Sequence, residues 1–526
     1  MKISRRDALA AGAGLIGTLS SVSFAASAVA SSPEVATTTG KVRGYSDNHT
    51  LVFKGIRYGV DTGARRFQPP IKPAAWDGTV DCFEYGASSP QNHTTDAISE
   101  DCLFLNVWTP AVDDGRKRPV LFYIHGGAYN HGSGSSPLYD GKALTEHGDV
   151  VVVTVNHRLN AFGYLYLQRL AADQFPDSGN CGQLDLVLAL QWVRDNIAAF
   201  GGDPDRVLAF GQSGGGAKIA TMMAMPAAAG LFQRAASMSG QQVTASGPSN
   251  ATQRTLAYLD ALGVSAKNVG RLADLPMEKL VDALDAHDPV LDYDASVYFG
   301  PVLDMRSLTR HPFYPDAAPQ SAQIPMIIGN THDETRAFLR KPEYYDLDWD
   351  DVPALLVPNM RVDIRPDYVV DEYRRLYPDY SPSQVFFAAT TAARSWRGAI
   401  IEAEERARQK GADTFVYQLD FQNPTKPELG APHTFDIPLI FRNLTAEGSL
   451  ADDDKESQTV SAMMSDAFIS FTRTGTPAST LMPDWTPYNL PERATMVIDA
   501  PARMEYDPRG DERRIFARVP YVQPGT

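Results

Sequence analysis

Cysteine is nearly missing from this chain. Three thiols, Cys82, Cys102 and Cys181, in 526 residues are too few for a disulfide scaffold and lack the spacing of zinc ligands. A single Cys82–Cys102 bridge is compatible with an oxidising compartment. Positive charge is also short. Against 63 Asp and Glu stand 48 Lys and Arg, giving a net charge of -15 and a pI near 5.1, which argues against nucleic acid or an anionic membrane as the main partner. After the N-terminal stretch no run of 18 uninterrupted apolar residues occurs, so no integral membrane association is expected. Internal repeats, low-complexity tracts and clustered metal ligands are absent too, and neither a metal nor a cofactor is expected. The remaining composition, 43% hydrophobic and 21% charged, is that of a globular protein long enough for a large core.

Residues 1–30 read as an address and not as fold. Ser4-Arg5-Arg6-Asp7 opens an Ala/Gly/Leu-rich apolar stretch that runs to about Phe24, followed by Ala26-Ser27-Ala28 and Ala28-Val29-Ala30. Paired arginines before a short apolar run and small-residue cleavage sites are the pattern of a bacterial twin-arginine signal peptide. The expectation is export to the periplasm or the medium, with residues 31–526 as a single domain.

Alternation broken by turn residues between Thr37 and Tyr58 predicts antiparallel β at a sheet edge. Three continuous apolar runs, Leu103–Trp108, Val120–Ile124 and Val150–Val155, suit strands covered on both faces. Apolar residues at helical spacing fill Leu184–Phe200, and Gly201-Gly202-Asp203-Pro204 leads into another strand. This rhythm predicts a mostly parallel α/β sheet with helices on both faces. From about Ala245 to Gln320 and from Lys341 to Arg408 the strand signal fades into helical insertions, a candidate lid or pocket wall.

The chemistry centres on Gly211-Gln212-Ser213-Gly214-Gly215. An apolar strand before it and a small-residue helical pattern after it make the G-x-S-x-G turn that projects a serine hydroxyl toward substrate. The pentapeptide is short and decides nothing alone, because a structural Gly-Ser turn has the same residues. Serine needs a base, normally histidine, and the base needs an orienting acid. Chain order in hydrolases with this turn is Ser, acid, His, and only His287, His311, His332 and His433 follow Ser213. An acid placed after the apolar strand Ile324–Gly329, at Asp333 or Glu334, leaves His433 as the downstream base. His125-Gly126-Gly127-Ala128, after the strand Val120–Ile124, is placed to supply backbone N–H donors for an oxyanion.

With these parts in order, the chain resembles the type-B carboxylesterases of the cholinesterase/carboxylesterase family, within the α/β-hydrolase superfamily. Phe53–Tyr58, Arg66–Pro70, Ser99–Trp108 and Ala189–Pro204 carry the likeness across nearly the whole of residues 31–526. The resemblance implies Ser213 as nucleophile, Glu334 (not Asp333) as acid and His433 as base. It further implies an oxyanion hole from the N–H groups of Gly127, Ala128 and Gly214, support of the triad by Ser239, a structural Arg66–Glu100 ion pair, and a small-molecule ester as substrate. Some relatives in this family have lost the triad and only bind, and amidase or thioesterase chemistry can use the same constellation. Several positions depart from the pattern. Ala128 stands where glycine is usual, Gln212 where glutamate is, Gly214 where alanine is and His157 where tyrosine is commoner. Ser89 replaces the customary partner of Cys102.

Overall fold

The apolar runs become strands whose two faces both meet core. In the computed structural model, which describes residues 32–92, 94–291 and 295–525, Val120, Phe122 and Ile124 enter one hydrophobic cluster and Leu121 and Tyr123 the other. Period-two alternation with apolar residues at both phases requires cover on both faces. Residues 1–30, where a signal peptide is expected, lie outside the described residues. Residues Pro33–Thr526 form one compact unit.

Among the described residues the main sheet has eleven strands: β1 (Tyr45–Asp47), β2 (Thr50–Arg57), β3 (Phe104–Thr109), β4 (Arg118–Ile124), β5 (Val151–Val155), β6 (Gly202–Gln212), β7 (Arg234–Met238), β8 (Met326–Thr331), β9 (Thr414–Leu419), β10 (Ala494–Ile498) and β11 (Arg503–Tyr506). Their spatial order is β1-β2-β3-β5-β4-β6-β7-β8-β9-β10-β11. Pairing is parallel from β5 through β10, and antiparallel at both margins. This is the α/β-hydrolase fold, a large mixed sheet with helices on both sides. A small three-stranded sheet, Glu34–Ala36, Lys41–Arg43 and Thr79–Asp81, lies N-terminal in the chain.

Helix α1 (Cys181–Asn196) and helix α2 (Gly214–Met222) cover one face through Leu186, Leu190, Ile219 and Met222. The long helix Lys455–Thr474 covers the other through Val460, Met463 and Phe468. The acidic run before that helix is its cap, with the Asp454 carboxylate accepting from the Glu456 and Ser457 N–H groups at 2.7 and 3.1 Å and satisfying donors a helix start leaves open. Both insertions are helical and carry satellite cores of their own, one around Tyr258 and Leu280, the other around Tyr373 and Phe386.

The sequence leaves a Cys82–Cys102 bridge open, and the structure has none. Cys82, Cys102 and Cys181 are buried free thiols, and burial pushes Cys82 up to about 12 and Cys102 higher still. Ser89, which the resemblance sets at the position of the customary partner, lies against the Cys102 sulfur, and its hydroxyl oxygen accepts from the Leu159 N–H at 3.1 Å.

Candidate active site

Four loops leave the carboxyl ends of neighbouring strands and meet in one cleft, the place where open α/β sheets hold their sites. Behind β6 comes Ser213, at φ 56 and ψ -124. That left-handed backbone is costly for serine and is held by bonds on both sides, from the Ser213 N–H to the Met238 carbonyl at 2.7 Å and from the Ala217 N–H to the Ser213 carbonyl at 3.1 Å. Gly215 is obligatory here, since a Cβ on it would lie 2.0 Å from the Ile124 carbonyl oxygen.

The loop after β4 turns back on itself at Gly127 (φ 83) and Ala128 (φ 50). The Gly127 carbonyl accepts from the Asn130 and His131 N–H groups, both at 3.1 Å. Gly214, the first residue of α2, lies directly against this loop, because a Cβ on it would meet the Ala128 carbonyl oxygen at 2.0 Å. Residue 214 is thereby packed against the 127–128 loop, Ala128 and Gly214 both line the cleft, and the α2 N-terminus adds a favourable dipole for negative charge.

Glu334 follows β8, which runs on to Thr331, beyond the expected end at Gly329. Its carboxylate is fully buried. Oε1 accepts from the Asn330 amide at 3.1 Å and the Thr331 N–H at 2.9 Å, and Oε2 accepts from His433 Nδ1 in a short hydrogen bond. Burial alone would raise this carboxyl. The adjacent imidazole, the Ser239 hydroxyl and the Thr331 N–H outweigh it and hold Glu334 below the ordinary glutamate value. The Ser239 hydroxyl is buried beside this carboxylate without reaching hydrogen-bond geometry to it. Asp333 points elsewhere. It accepts from His332 Nδ1 and Arg336 Nε, both at 3.2 Å, and from the Ala431 N–H at 3.1 Å, which together overcome burial and bring it to about 2. The fold thus brings Glu334, and not its neighbour, to His433.

His433 is itself buried, with the Phe338 ring 4.7 Å from its own. The Gln212 amide nitrogen sits 3.1 and 3.3 Å from its two ring nitrogens, so the residue beside the nucleophile also touches the base, a contact sequence reasoning missed. Beneath this group the buried Asp436 is raised to about 6 by its burial, with the Tyr417 hydroxyl bonded to it at 2.7 Å.

Ser213 and His433 open on a cavity of about 250 Å³ that Ala128, Gly214 and Ser239 also line. The helical insertions supply Tyr298, Arg361, Arg394 and Ser395 to its wall. Tyr521, Gln523 and Pro524 come from the last residues of the chain, a contribution with no sequence signal. Arg66 and Glu100 form the expected ion pair. Among the described residues no group of three or more His, Cys, Asp or Glu could hold a metal ion, and no helix is long and apolar enough to cross a membrane.

A model of the carboxylesterase family matches residues 31–515. The para-nitrobenzyl esterase of Bacillus subtilis is 34% identical over 500 residues, covering 91% of this chain and 97% of that protein. Phenmedipham hydrolase of Pseudarthrobacter oxydans is 32% identical over 492 residues, with 89% and 95% covered. Among solved structures, the carboxylesterase EST55 of Geobacillus stearothermophilus superposes with a TM-score of 0.82 at 37% identity, covering 92% of this chain and 99% of its own.

Proposed function

The chain belongs to the carboxylesterase family and is a carboxylic ester hydrolase, and from that premise we propose that it cleaves small-molecule esters through a Ser213–His433–Glu334 triad and an acyl-enzyme intermediate. The observation that carries this reading is the buried His433–Glu334 hydrogen bond, with His433 opening on the same cavity as the strained Ser213.

In the first half-reaction His433 takes the Ser213 proton as the serine oxygen attacks the ester carbonyl carbon. Glu334 stays ionised, because its surroundings hold it low, and stabilises the imidazolium that forms. The tetrahedral oxyanion receives hydrogen bonds from the N–H groups of Gly127, Ala128 and Gly214, each such donor contributing about 3–4 kcal/mol to the transition state. Collapse expels the alcohol, which takes the proton from His433. Water then attacks the acyl-enzyme, again with His433 as base.

The test is turnover of p-nitrophenyl esters together with labelling by a fluorophosphonate. Ser213→Ala or His433→Ala should lower kcat by roughly 10⁴-fold or more while leaving the melting temperature unchanged, and Ser213→Ala should abolish labelling. Near-normal turnover in either variant would refute the assignment. Export belongs to the same reading and is supported by Arg5-Arg6, the apolar stretch after it and the Ala-x-Ala sites.

A further inference from the structure

Lys218 is fully buried in α2, and its charge has no carboxylate beside it among the described residues. Taking an ammonium out of water without a counter-ion is costly, so such a group persists where something else requires it. Its Nζ donates to the Ala128 carbonyl at 2.8 Å and to the His125 carbonyl at 3.3 Å, and lies 5.4 Å from the centre of the Tyr129 ring. Two imidazoles share the region. The His125 and His157 rings pack at a tilt of 40° with centroids 4.7 Å apart, and His125 Nε2 and both His157 nitrogens have no hydrogen-bond partner among the described residues. Burial first, and the Lys218 charge second, push both histidines well below the ordinary value. Burial pushes Lys218 down to about 7.

We infer that Lys218 is a positioning residue of the oxyanion hole, gripping the carbonyls on either side of Gly126-Gly127 and Ala128 so that the N–H groups of residues 127 and 128 stay aimed at the reacting carbonyl. The inference rests on the catalytic reading above. Its geometric basis is the helix itself. Positions 214 and 218 lie one turn apart on the same face of α2, so the element that supplies the third donor also clamps the loop that supplies the other two. The clamp has strain to hold, because Ala128 at φ 50 occupies a region that alanine avoids. The two carbonyls it holds belong to the peptides on either side of the two that carry the 127 and 128 N–H groups, so the ammonium acts on those donors by fixing the loop between its two grips. The tilted His125–His157 pair adds no second cation. Both rings are held neutral against the loop, which gives His157 a place in the same assembly.

Lys218→Met keeps the length of the side chain and removes its donors and charge. It should lower kcat about 30-fold or more with KM changed less than about threefold. The second-order rate of fluorophosphonate labelling should fall in parallel, since the phosphonylated serine also places an oxygen in the hole. The melting temperature should hold or rise, because an unpaired buried charge has been removed. Lys218→Gln, which retains an N–H for one carbonyl, should fall between the two and decides the matter if the Met variant does not fold. Wild-type kcat in a folded variant overturns the inference. So does a kcat loss that tracks a fall in melting temperature in both variants, which would make Lys218 a structural residue only. Stoichiometric labelling of wild type and none of Ser213→Ala separates either result from a failure of the triad assignment itself.

Discussion

Replacing Gly214 by alanine puts a single methyl group against the most crowded contact in the cleft. Alanine is the residue the family resemblance leads one to expect there, so the change tests this particular loop. Its Cβ would stand 2.0 Å from the Ala128 carbonyl oxygen and 2.5 Å from both the carbonyl carbon and Cα of Ala128, where real Cβ contacts under 3.0 Å essentially never occur. The obstruction is backbone, so the 128 peptide or the nucleophile turn must retreat by about 1 Å, a displacement that costs catalysis on the order of 10²-fold. Loss of one aligned oxyanion donor gives a similar figure, about 2.7–4 kcal/mol. Gly214→Ala should therefore lower kcat on a p-nitrophenyl ester roughly 100-fold, normalised to active sites titrated with a fluorophosphonate, with little change in KM. Ala128→Gly alone relieves a left-handed alanine worth about 1 kcal/mol of strain and should leave kcat within a few-fold of wild type. Combined, the two should recover about tenfold or more over Gly214→Ala, a coupling of about 1.4 kcal/mol, because a glycine at 128 lets the loop withdraw. A folded Gly214→Ala enzyme with kcat within threefold of wild type would refute the reasoning, and strict additivity in the double variant would refute the coupling.

Two further outcomes follow from the same geometry and from the N-terminal pattern. Glu334→Gln keeps the shape of the acid and removes its charge, so kcat should fall about 10³–10⁴-fold. Because Glu334 is held below its unfolded value, the stability it contributes is complete above the unfolded pKa of about 4.3 and lost as pH falls through the lower native value. The melting temperature of wild type should thus decline more steeply below about pH 5 than that of the Gln variant, and parallel curves would contradict the linkage. For export, Arg5→Lys with Arg6→Lys should move most esterase activity from the osmotic-shock fraction of a bacterial host into the cytoplasm; unchanged partition would exclude the twin-arginine route.

Much of the scaffold was legible because covered strands and the glycine-flanked turn leave strong local patterns. What the sequence could not carry is direction and distance. A buried apolar run such as Phe104–Thr109 reads the same whether its neighbours run parallel or antiparallel, and here both are antiparallel, since side-chain period is indifferent to chain sense. The start of α1 at Cys181 was hidden because Cys181-Gly182-Gln183 has no apolar period, though all three are buried. Asp333 and Glu334 are adjacent in the chain, and only the turn after β8 decides which one faces His433. The pocket wall draws on Tyr298, Arg394 and Tyr521, residues 96 and 127 positions apart in turn, which no window of sequence joins.

The departures from the family pattern are the more informative residue of that comparison. Taken singly along the sequence, Ala128, Gly214 and His157 have no relation, and Lys218 in an otherwise small and apolar stretch reads as a side chain bound for solvent, where lysine usually is. In space they converge. Gly214 exists as glycine because the Ala128 backbone occupies the room its Cβ would need. Lys218 holds the carbonyl of that same alanine, and the His157 ring packs at a tilt against the histidine whose carbonyl Lys218 also holds. Three departures that meet at one loop, with a buried lysine gripping that loop, are better explained as a single alternative construction of the oxyanion hole than as independent drift. That view makes a demand which drift does not: Gly214→Ala, His157→Tyr and Lys218→Met should each cost activity, with Ala128→Gly the exception because it only adds freedom to the backbone.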